Sequence, residues 1–194
     1  LFDLSMLCAM PNMTVLAPRD AAALQQMLDY ALQLGQPVAL RYPRGSAPTL
    51  AQYPLQPLVW GKGEILRRPP QAKLGILAVG DMVQNSLALA DWLAERSVTA
   101  AVADLRFAKP LDEELLCDFA QSFGRLVVWE NGVISGGVGE NILALLQSRG
   151  IAAEVELAAF PAEFIPHGKP EQLFARYNLL PEQLGERIMQ RWQL

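Results

Sequence analysis

Short apolar runs alternate with stretches of helical periodicity from residue 73 onwards, and no other feature constrains the fold as strongly. The apolar runs cover residues 74–79, 100–105, 126–129 and 155–159. Each has the length of a strand and is predominantly apolar, with little of the alternation of a half-exposed strand, as in a strand that is buried on both faces. Between them, apolar residues recur every three or four positions, as in a helix with one buried face. This alternation predicts a doubly wound, mostly parallel α/β sheet over residues 73–194.

The first 47 residues repeat the pattern on a smaller scale, as helix, strand, helix and strand. Asp20 is a candidate N-cap of the second helix, and Gly35 can end that helix. One such unit cannot form a stable sheet alone. We therefore interpret residues 1–47 as the C-terminal remnant of a larger α/β domain, loosely held or paired with another chain. The sequence begins with Leu1 and not with Met, which suggests a trimmed piece.

Prolines are frequent between these two segments and predict a surface linker over residues 48–72. They occur at positions 48, 54, 57, 69 and 70. Residues 60–66 (WGKGEIL) could form one strand within the linker.

Charge, hydropathy and cysteine content exclude several classes of protein. The net charge of −4 argues against a nucleic-acid-binding surface, which usually shows a basic excess. The apolar runs are interrupted well before the ~20 residues that a membrane span requires. Cys8 and Cys117 have no spacing typical of a disulfide framework or a zinc site. Unpaired thiols suit a reducing compartment.

Two arginines, Arg41 and Arg44, follow a predicted strand in residues 41–45 (RYPRG). Ligands of open α/β sheets bind outside the carboxyl ends of strands. An arginine at that place can bind a phosphate or carboxylate through two parallel hydrogen bonds. The alternative is a solvated pair, or an arginine paired with a nearby acid. The residues alone favour this structural alternative.

A glycine-rich turn follows the strand at 126–129. Residues 130–139 (ENGVISGGVG) place glycines before a helix, as phosphate-binding turns do. The spacing fits neither the P-loop nor the dinucleotide fingerprint, and Glu130 would bring a negative charge close to any anion. We therefore favour a tight connection in which small residues are needed for packing.

The remaining polar residues complete no mechanism. Gly80 and Asp81 are typical of a turn and an N-cap. The single histidine, His167, lies in a Pro-His-Gly turn without a nucleophile elbow nearby, and we expect a surface or capping role. Asp104 and Arg106 could form an ion pair. The residues alone thus supply no nucleophile with its base and no metal cluster.

Several ordered motifs nevertheless resemble those of the 1-deoxy-D-xylulose-5-phosphate synthases. They are FDLS at 2–5, PNM at 11–13, RYPRG at 41–45, GKG at 61–63, DLRFAKPLD at 104–112, EN at 130–131 with GGVG at 136–139, and FIPHG at 164–168. Each is weak alone, but together they span nearly the whole chain in order. Transketolases and 2-oxo-acid dehydrogenase β subunits share the architecture, and the motifs at 41–45 and 104–112 fit the synthases better.

The resemblance implies a thiamine-diphosphate-dependent transferase that condenses pyruvate with glyceraldehyde 3-phosphate to 1-deoxy-D-xylulose 5-phosphate, a precursor of isoprenoids, thiamine and pyridoxal. Such an enzyme would use thiamine diphosphate and Mg²⁺ and act as a homodimer, in the cytoplasm or in a plant or algal plastid. This chain would supply the end of the pyrimidine-binding domain (1–47) and the transketolase C-terminal-like domain (73–194). The family's catalytic, cofactor and metal residues would precede Leu1. We therefore expect the chain alone to be inactive and to bind no cofactor.

One functional residue carries over from the resemblance. Arg44 matches the family arginine that binds the phosphate of glyceraldehyde 3-phosphate, whereas we expect Arg41 to be structural. Two alternatives stay open: a free-standing interaction or dimerisation module with the transketolase C-terminal fold, and the end of a 2-oxo-acid dehydrogenase β subunit, which would bind a lipoyl-carrier partner.

Overall fold

The structure, a computed structural model, describes residues 1–45 and 49–194. The helices are α1 (Asp3–Ala9), α2 (Ala21–Gln33), α3 (Met82–Ala94), α4 (Glu113–Phe123), α5 (Val138–Ser148), α6 (Pro170–Arg176) and α7 (Pro181–Trp192). The strands are β1 (Thr14–Leu16), β2 (Val38–Leu40), β3 (Glu64–Arg67), β4 (Leu74–Ala78), β5 (Ala100–Asp104), β6 (Phe107–Lys109), β7 (Arg125–Val133) and β8 (Glu154–Phe160). No described helix is long and apolar enough to cross a membrane.

The larger sheet has five strands in the order β3-β5-β4-β7-β8. Strand β4 runs parallel to β5 and β7, β7 runs parallel to β8, and only the edge strand β3 is antiparallel. The prediction of a doubly wound, mostly parallel sheet is confirmed.

Alternating side chains of the central strand explain why helices cover both faces of this sheet. All five residues of β4 are buried. Ile76 packs into a core cluster with residues of α3 and α7, whereas Leu77 packs into a second cluster with residues of α4 and α5. A strand that is apolar on both faces needs cover on both faces. Two apolar cores therefore flank the sheet.

The smaller sheet joins the N-terminal segment (residues 1–45) to the rest of the chain. Its order is β2-β1-β6, with β1 parallel to β2 and antiparallel to β6. We had expected residues 1–47 to be loosely held or paired with another chain. Instead, β6 provides the missing partner from within the chain, and Leu4, Val15 and Ala17 are buried in the same cluster as Leu77.

The region predicted as a surface linker, residues 48–72, contributes to the larger sheet. Strand β3 pairs with β5, with Glu64 opposite Asp104. Leu50, from the same region, is buried in the core beside α3 and α7. The sequence indicates one strand here. Its partner strand, β5, lies about forty residues further along the chain, so no local signal indicates the pairing.

The predicted cap at Asp20 is present, and Asp112 forms a second helix cap. The Asp20 carboxylate accepts from the Ala23 amide at 2.7 Å at the start of α2. The Asp112 carboxylate accepts from the Leu115 amide at 3.2 Å at the start of α4. Each satisfies an amide that the first helical turn would otherwise leave unpaired.

Candidate functional site

Residues 41–44 leave the carboxyl end of β2 and form one wall of an open groove of about 510 Å³, which Asp3, Leu7 and Leu40 also line. Arg44 lies exposed in this wall. Within residues 1–45 and 49–194, its guanidinium forms neither a hydrogen bond nor an ion pair. The groove therefore offers a cation that no neighbouring side chain compensates, at the place where the sequence predicts anion binding.

Arg41 has the opposite environment. Its side chain is 11% exposed, and its guanidinium makes three contacts. Nε donates to Asp3 Oδ2 at 3.0 Å, Nη1 to Asp81 Oδ1 at 3.0 Å and Nη2 to the Asn131 carbonyl at 2.6 Å. Asn131 Nδ2 in turn donates to Asp81 Oδ2 at 2.7 Å. We call these four residues the Arg41 cluster.

Within the Arg41 cluster, the Arg41 guanidinium stabilises the ionised form of Asp3. Partial burial acts to raise the pKa of Asp3, but attraction to Arg41 and its hydrogen bond outweigh burial and lower the pKa below the ordinary value. Asp3 is thus held ionised beside the guanidinium. The structural role expected for Arg41 agrees with these contacts, because its cation is already matched by two carboxylates.

The Arg41 cluster lies at the topological switch point of the larger sheet. Strand β5 lies on one side of β4 and β7 on the other. In open α/β sheets, ligands bind outside the carboxyl ends of the strands, in the crevice at the point where the strand order reverses. Asp81 follows β4 and Asn131 belongs to β7, so the Arg41 guanidinium binds residues from both strands at this edge of the sheet.

The glycine-rich turn before α5 contains an internal anion. Glu130 is buried, and its carboxylate accepts from the Val138 amide at 3.0 Å and the Gly139 amide at 2.8 Å. Burial raises the pKa of Glu130, although those two backbone hydrogen bonds oppose the rise. The amides that could bind a phosphate are therefore occupied, as the packing interpretation of this turn requires.

A second buried cluster joins the N-terminal segment to the larger sheet, and we call it the Arg19 cluster: Arg19, Glu64, Asp104 and Arg106. Arg19 Nη1 lies 2.9 Å from Glu64 Oε2 and 3.5 Å from Asp104 Oδ2. The Arg106 guanidinium pairs with Glu64. Asp104 and Arg106 do meet, as expected, but through the Arg106 amide, which donates to Asp104 Oδ1 at 2.9 Å.

Asp104 gives the Arg19 cluster a pH dependence. Burial raises the pKa of Asp104 to about 6, although the Arg106 amide and the charge of Arg19 oppose the rise. A carboxyl with a raised pKa in the folded state binds more protons there than in the unfolded chain. Its contribution to stability is therefore present below about pH 4 and is lost as the pH rises to about 6.

We predict that Asp104→Asn removes this part of the pH dependence. Between pH 4 and pH 6, the free energy of unfolding of the unsubstituted chain should fall by about 2 kcal/mol more than that of the variant. Urea unfolding at pH 4, 5, 6 and 7 measures the difference. Asp118→Asn is the control, because the hydrogen bond from Arg68 lowers the pKa of that carboxyl and gives the opposite slope. Parallel curves for Asp104→Asn and the unsubstituted chain would contradict the prediction.

The remaining candidate residues contribute no reactive group. His167 is exposed between β8 and α6. Both cysteines are free, and burial raises the pKa of Cys8 to about 11, so its thiol is protonated at neutral pH. The described residues contain no group of three or more His, Cys, Asp or Glu side chains that could hold a metal ion. With Glu130 filling the glycine-rich turn, the residues described do not fit a diphosphate with its metal.

Two protein-family models match the chain. The model of the transketolase C-terminal domain matches residues 61–184. The model of the transketolase pyrimidine-binding domain matches residues 1–49. The first match includes β3, which forms the edge of the larger sheet.

Similar sequences include two named 1-deoxy-D-xylulose-5-phosphate synthase. The protein from Caldanaerobacter subterraneus is 39% identical over 99% of this chain and 30% of its own length. The protein from Symbiobacterium thermophilum is 41% identical over 96% of this chain and 28% of its own length. The chain therefore spans about 30% of the length of these relatives, and the resemblance seen in the motifs is confirmed.

Solved structures with the same fold include transketolases. A split gene transketolase described as an inactive β4 tetramer matches with a TM-score of 0.87 and 26% identity, over 97% of this chain and 61% of that one. Transketolase from Campylobacter jejuni matches with a TM-score of 0.75 and 19% identity, over 98% of this chain and 28% of that one. The second likeness concerns the fold alone.

Proposed function

The chain belongs to the transketolase family, and on that premise we propose that it is part of a thiamine-diphosphate-dependent transferase. The enzyme condenses pyruvate with glyceraldehyde 3-phosphate to 1-deoxy-D-xylulose 5-phosphate, for isoprenoid, thiamine and pyridoxal synthesis. The name of the relatives and the order of the motifs support this function. The same relatives favour the synthase over the 2-oxo-acid dehydrogenase β subunit.

In this proposal the chain contributes substrate binding, and the rest of the enzyme contributes the cofactor site. Thiamine diphosphate and Mg²⁺ bind to segments outside this chain, and the cofactor supplies the decarboxylation of pyruvate. The whole enzyme is a homodimer in the cytoplasm, or in a plastid if its source is a plant or alga. The chain on its own neither binds the cofactor nor turns over pyruvate.

Arg44 binds the phosphate of glyceraldehyde 3-phosphate. The observation that carries this role is the contrast between the two arginines of residues 41–45. The Arg41 side chain is 11% exposed and matched by Asp3 and Asp81, whereas Arg44 is exposed towards the groove without a partner among the described residues. A guanidinium can make two parallel hydrogen bonds to a phosphate. Holding the non-reacting end of the substrate in this way orients the aldehyde for attack.

Arg44→Ala should weaken binding of phosphorylated ligands by this chain. Loss of a hydrogen bond to a charged group costs about 1.5–3 kcal/mol, so the Kd for inorganic phosphate should rise about tenfold or more. Titration followed by ¹H–¹⁵N spectra measures this Kd, with glyceraldehyde as the unphosphorylated comparison. Arg149→Ala removes another exposed arginine, which pairs with Glu113 and does not line the groove, and serves as the control. A phosphate Kd unchanged by Arg44→Ala would refute the assignment.

A separately encoded assembly module is the second candidate. The observation that favours it is the 26% identity to a split gene transketolase, described as an inactive β4 tetramer, of which this chain covers 61%. The intact mass and N-terminal sequence of the protein in its source cells distinguish the two. A longer species with further domains supports the synthase, and a species of this length supports the module.

A further inference from the structure

The Arg41 cluster does more than neutralise a buried arginine. It joins three parts of the chain: Asp3 from α1, Arg41 from the end of β2, and Asp81 with Asn131 from the larger sheet. We infer that Arg41 is a positioning residue for Arg44. Through its contacts, the switch point of the larger sheet holds residues 42–45, which carry Arg44, in place. This inference rests on the proposed function only in that Arg44 binds a phosphate.

Backbone hydrogen bonds show where the pairing of β2 with β1 ends. The Arg41 amide donates to the Leu16 carbonyl at 2.8 Å, which extends the pairing of β2 with β1 by one residue. In the part of the chain that the structure describes, the backbone of residues 42–45 makes no further hydrogen bond. Arg41 is therefore the last anchored residue before Arg44, and Pro43 alone restricts the segment between them.

The three contacts of Arg41 suit an anchor. They leave the guanidinium in different directions, to a carboxylate on each of two helix starts and to a backbone carbonyl. A planar, forked donor set held on three sides cannot rotate without losing a contact. The hydrogen bond from Asn131 to Asp81 fixes the acceptor in turn. The larger sheet therefore limits rotation of the backbone at the end of β2. It thereby limits the direction of the Arg44 side chain.

A competing role for Arg41 is to add positive charge to the groove. The two roles make opposite predictions for Asp81→Ala. Removing that carboxylate makes the groove more positive, so a purely electrostatic role predicts tighter phosphate binding. A positioning role predicts weaker binding, because Arg44 must then be ordered when the ligand binds.

Asp81 is a suitable residue to change, because it is not needed by its own helix. It occupies the N-cap of α3, but its side chain makes no capping hydrogen bond. Among residues 1–45 and 49–194, its two carboxylate oxygens bind only Arg41 and Asn131. Asp91→Ala is the matched control, since it removes an equal charge from an exposed pair with Arg67.

The experiment compares Asp81→Ala, Arg41→Lys and Asp91→Ala in this chain. Arg41→Lys keeps the charge but has one nitrogen in place of three, so it cannot make all three contacts. For Asp81→Ala and Arg41→Lys we expect the Kd for inorganic phosphate to rise about three- to tenfold. We also expect lower ¹H–¹⁵N heteronuclear NOE values at residues 42, 44 and 45, with a native circular dichroism spectrum. Asp91→Ala should leave both readouts unchanged.

The outcomes separate this inference from the proposed function. If Asp81→Ala binds phosphate as well or better and the NOE values do not change, Arg41 does not position Arg44. If the unsubstituted chain shows no Arg44-dependent phosphate binding, the assignment of Arg44 fails, and the NOE values alone decide whether Arg41 orders the segment. A higher Kd for inorganic phosphate together with lower NOE values, restricted to Asp81→Ala and Arg41→Lys, supports the positioning role.

Discussion

Arg19→Ala is expected to lower the free energy of unfolding by about 3–5 kcal/mol, because it removes one partner from a buried group of charges. The Arg19 side chain is fully buried, and Glu64 and Asp104 are 9% and 1% exposed. With Arg19 gone, Glu64 keeps its pair with the Arg106 guanidinium, whereas Asp104 loses its ion pair and keeps the hydrogen bond from the Arg106 amide. The Tyr53 carbonyl also loses its donor, which lies 2.7 Å away at Arg19 Nη2.

Guanidinium chloride unfolding at pH 7 measures this loss, and Arg149→Ala is the matched control. The ion pair of Arg149 with Glu113 is about half exposed on both sides. Exposed pairs contribute about 0–1 kcal/mol, so the control should stay within that range. If both variants lose similar amounts of unfolding free energy, burial does not determine how much the Arg19 cluster contributes to stability.

The same variant tests whether the N-terminal segment and the larger sheet unfold together. Arg19 lies between β1 and α2, while its acidic partners lie on β3 and β5. If the cluster joins the two parts, Arg19→Ala should increase amide exchange in β1 and β2 more than in β4 and β7. Equal increases throughout would indicate a single unit that the cluster stabilises uniformly.

The larger sheet was predictable because its signals are local. Strands β4, β5, β7 and β8 lie on predominantly apolar runs, and helix α2 begins at the aspartate cap that the sequence indicates. Apolar periodicity and caps depend on neighbours within a few residues. They therefore specify which segments are strands and helices without any knowledge of the tertiary contacts.

The smaller sheet was not predictable, because its pairing is not local. Strand β6 has three residues, Phe107–Lys109, and its partner β1 precedes it by about ninety residues. The motif at 104–112 contributes to the family resemblance but does not indicate a strand at 107–109. The sequence therefore does not indicate that β1 pairs with β6 within the chain, where we expect a loosely held segment or pairing with another chain.

The candidate site was only partly predictable. The resemblance singled out Arg44, and the structural role expected for Arg41 agrees with its buried contacts. The partners of Arg41 could not be found in the same way, since Asp81 was interpreted as a helix cap and lies 40 residues from Arg41 in sequence. The one usable signal was position: Asp81 directly follows a strand that begins a doubly wound sheet, where ligands commonly bind.

Gly137→Ala is expected to lower the free energy of unfolding by about 3–5 kcal/mol, through loss of space and not through backbone strain. Gly137 has a φ of −72°, which any residue can adopt. A Cβ atom at this position would lie 2.5 Å from the Val133 carbonyl oxygen and 2.6 Å from Glu130 Oε1. The carbonyl is part of the backbone and cannot rotate away. Relief of the clash would displace the Glu130 carboxylate from the amides at the start of α5, where it is buried.

Gly139→Ala separates this explanation from a general need for small residues in the turn. A Cβ atom there would lie 2.7 Å from Leu157 Cδ2, the end of a flexible side chain, and 3.5 Å from Glu130 Oε1. Rotation of Leu157 can relieve that contact, and alanine is favoured over glycine inside a helix by about 1 kcal/mol. The net loss for Gly139→Ala should therefore be at most about 1 kcal/mol. Urea unfolding of the two variants decides the matter. A large loss at 137 alone means that the glycine makes room for the internal carboxylate of Glu130, whereas equal losses mean that close packing of α5 sets both positions.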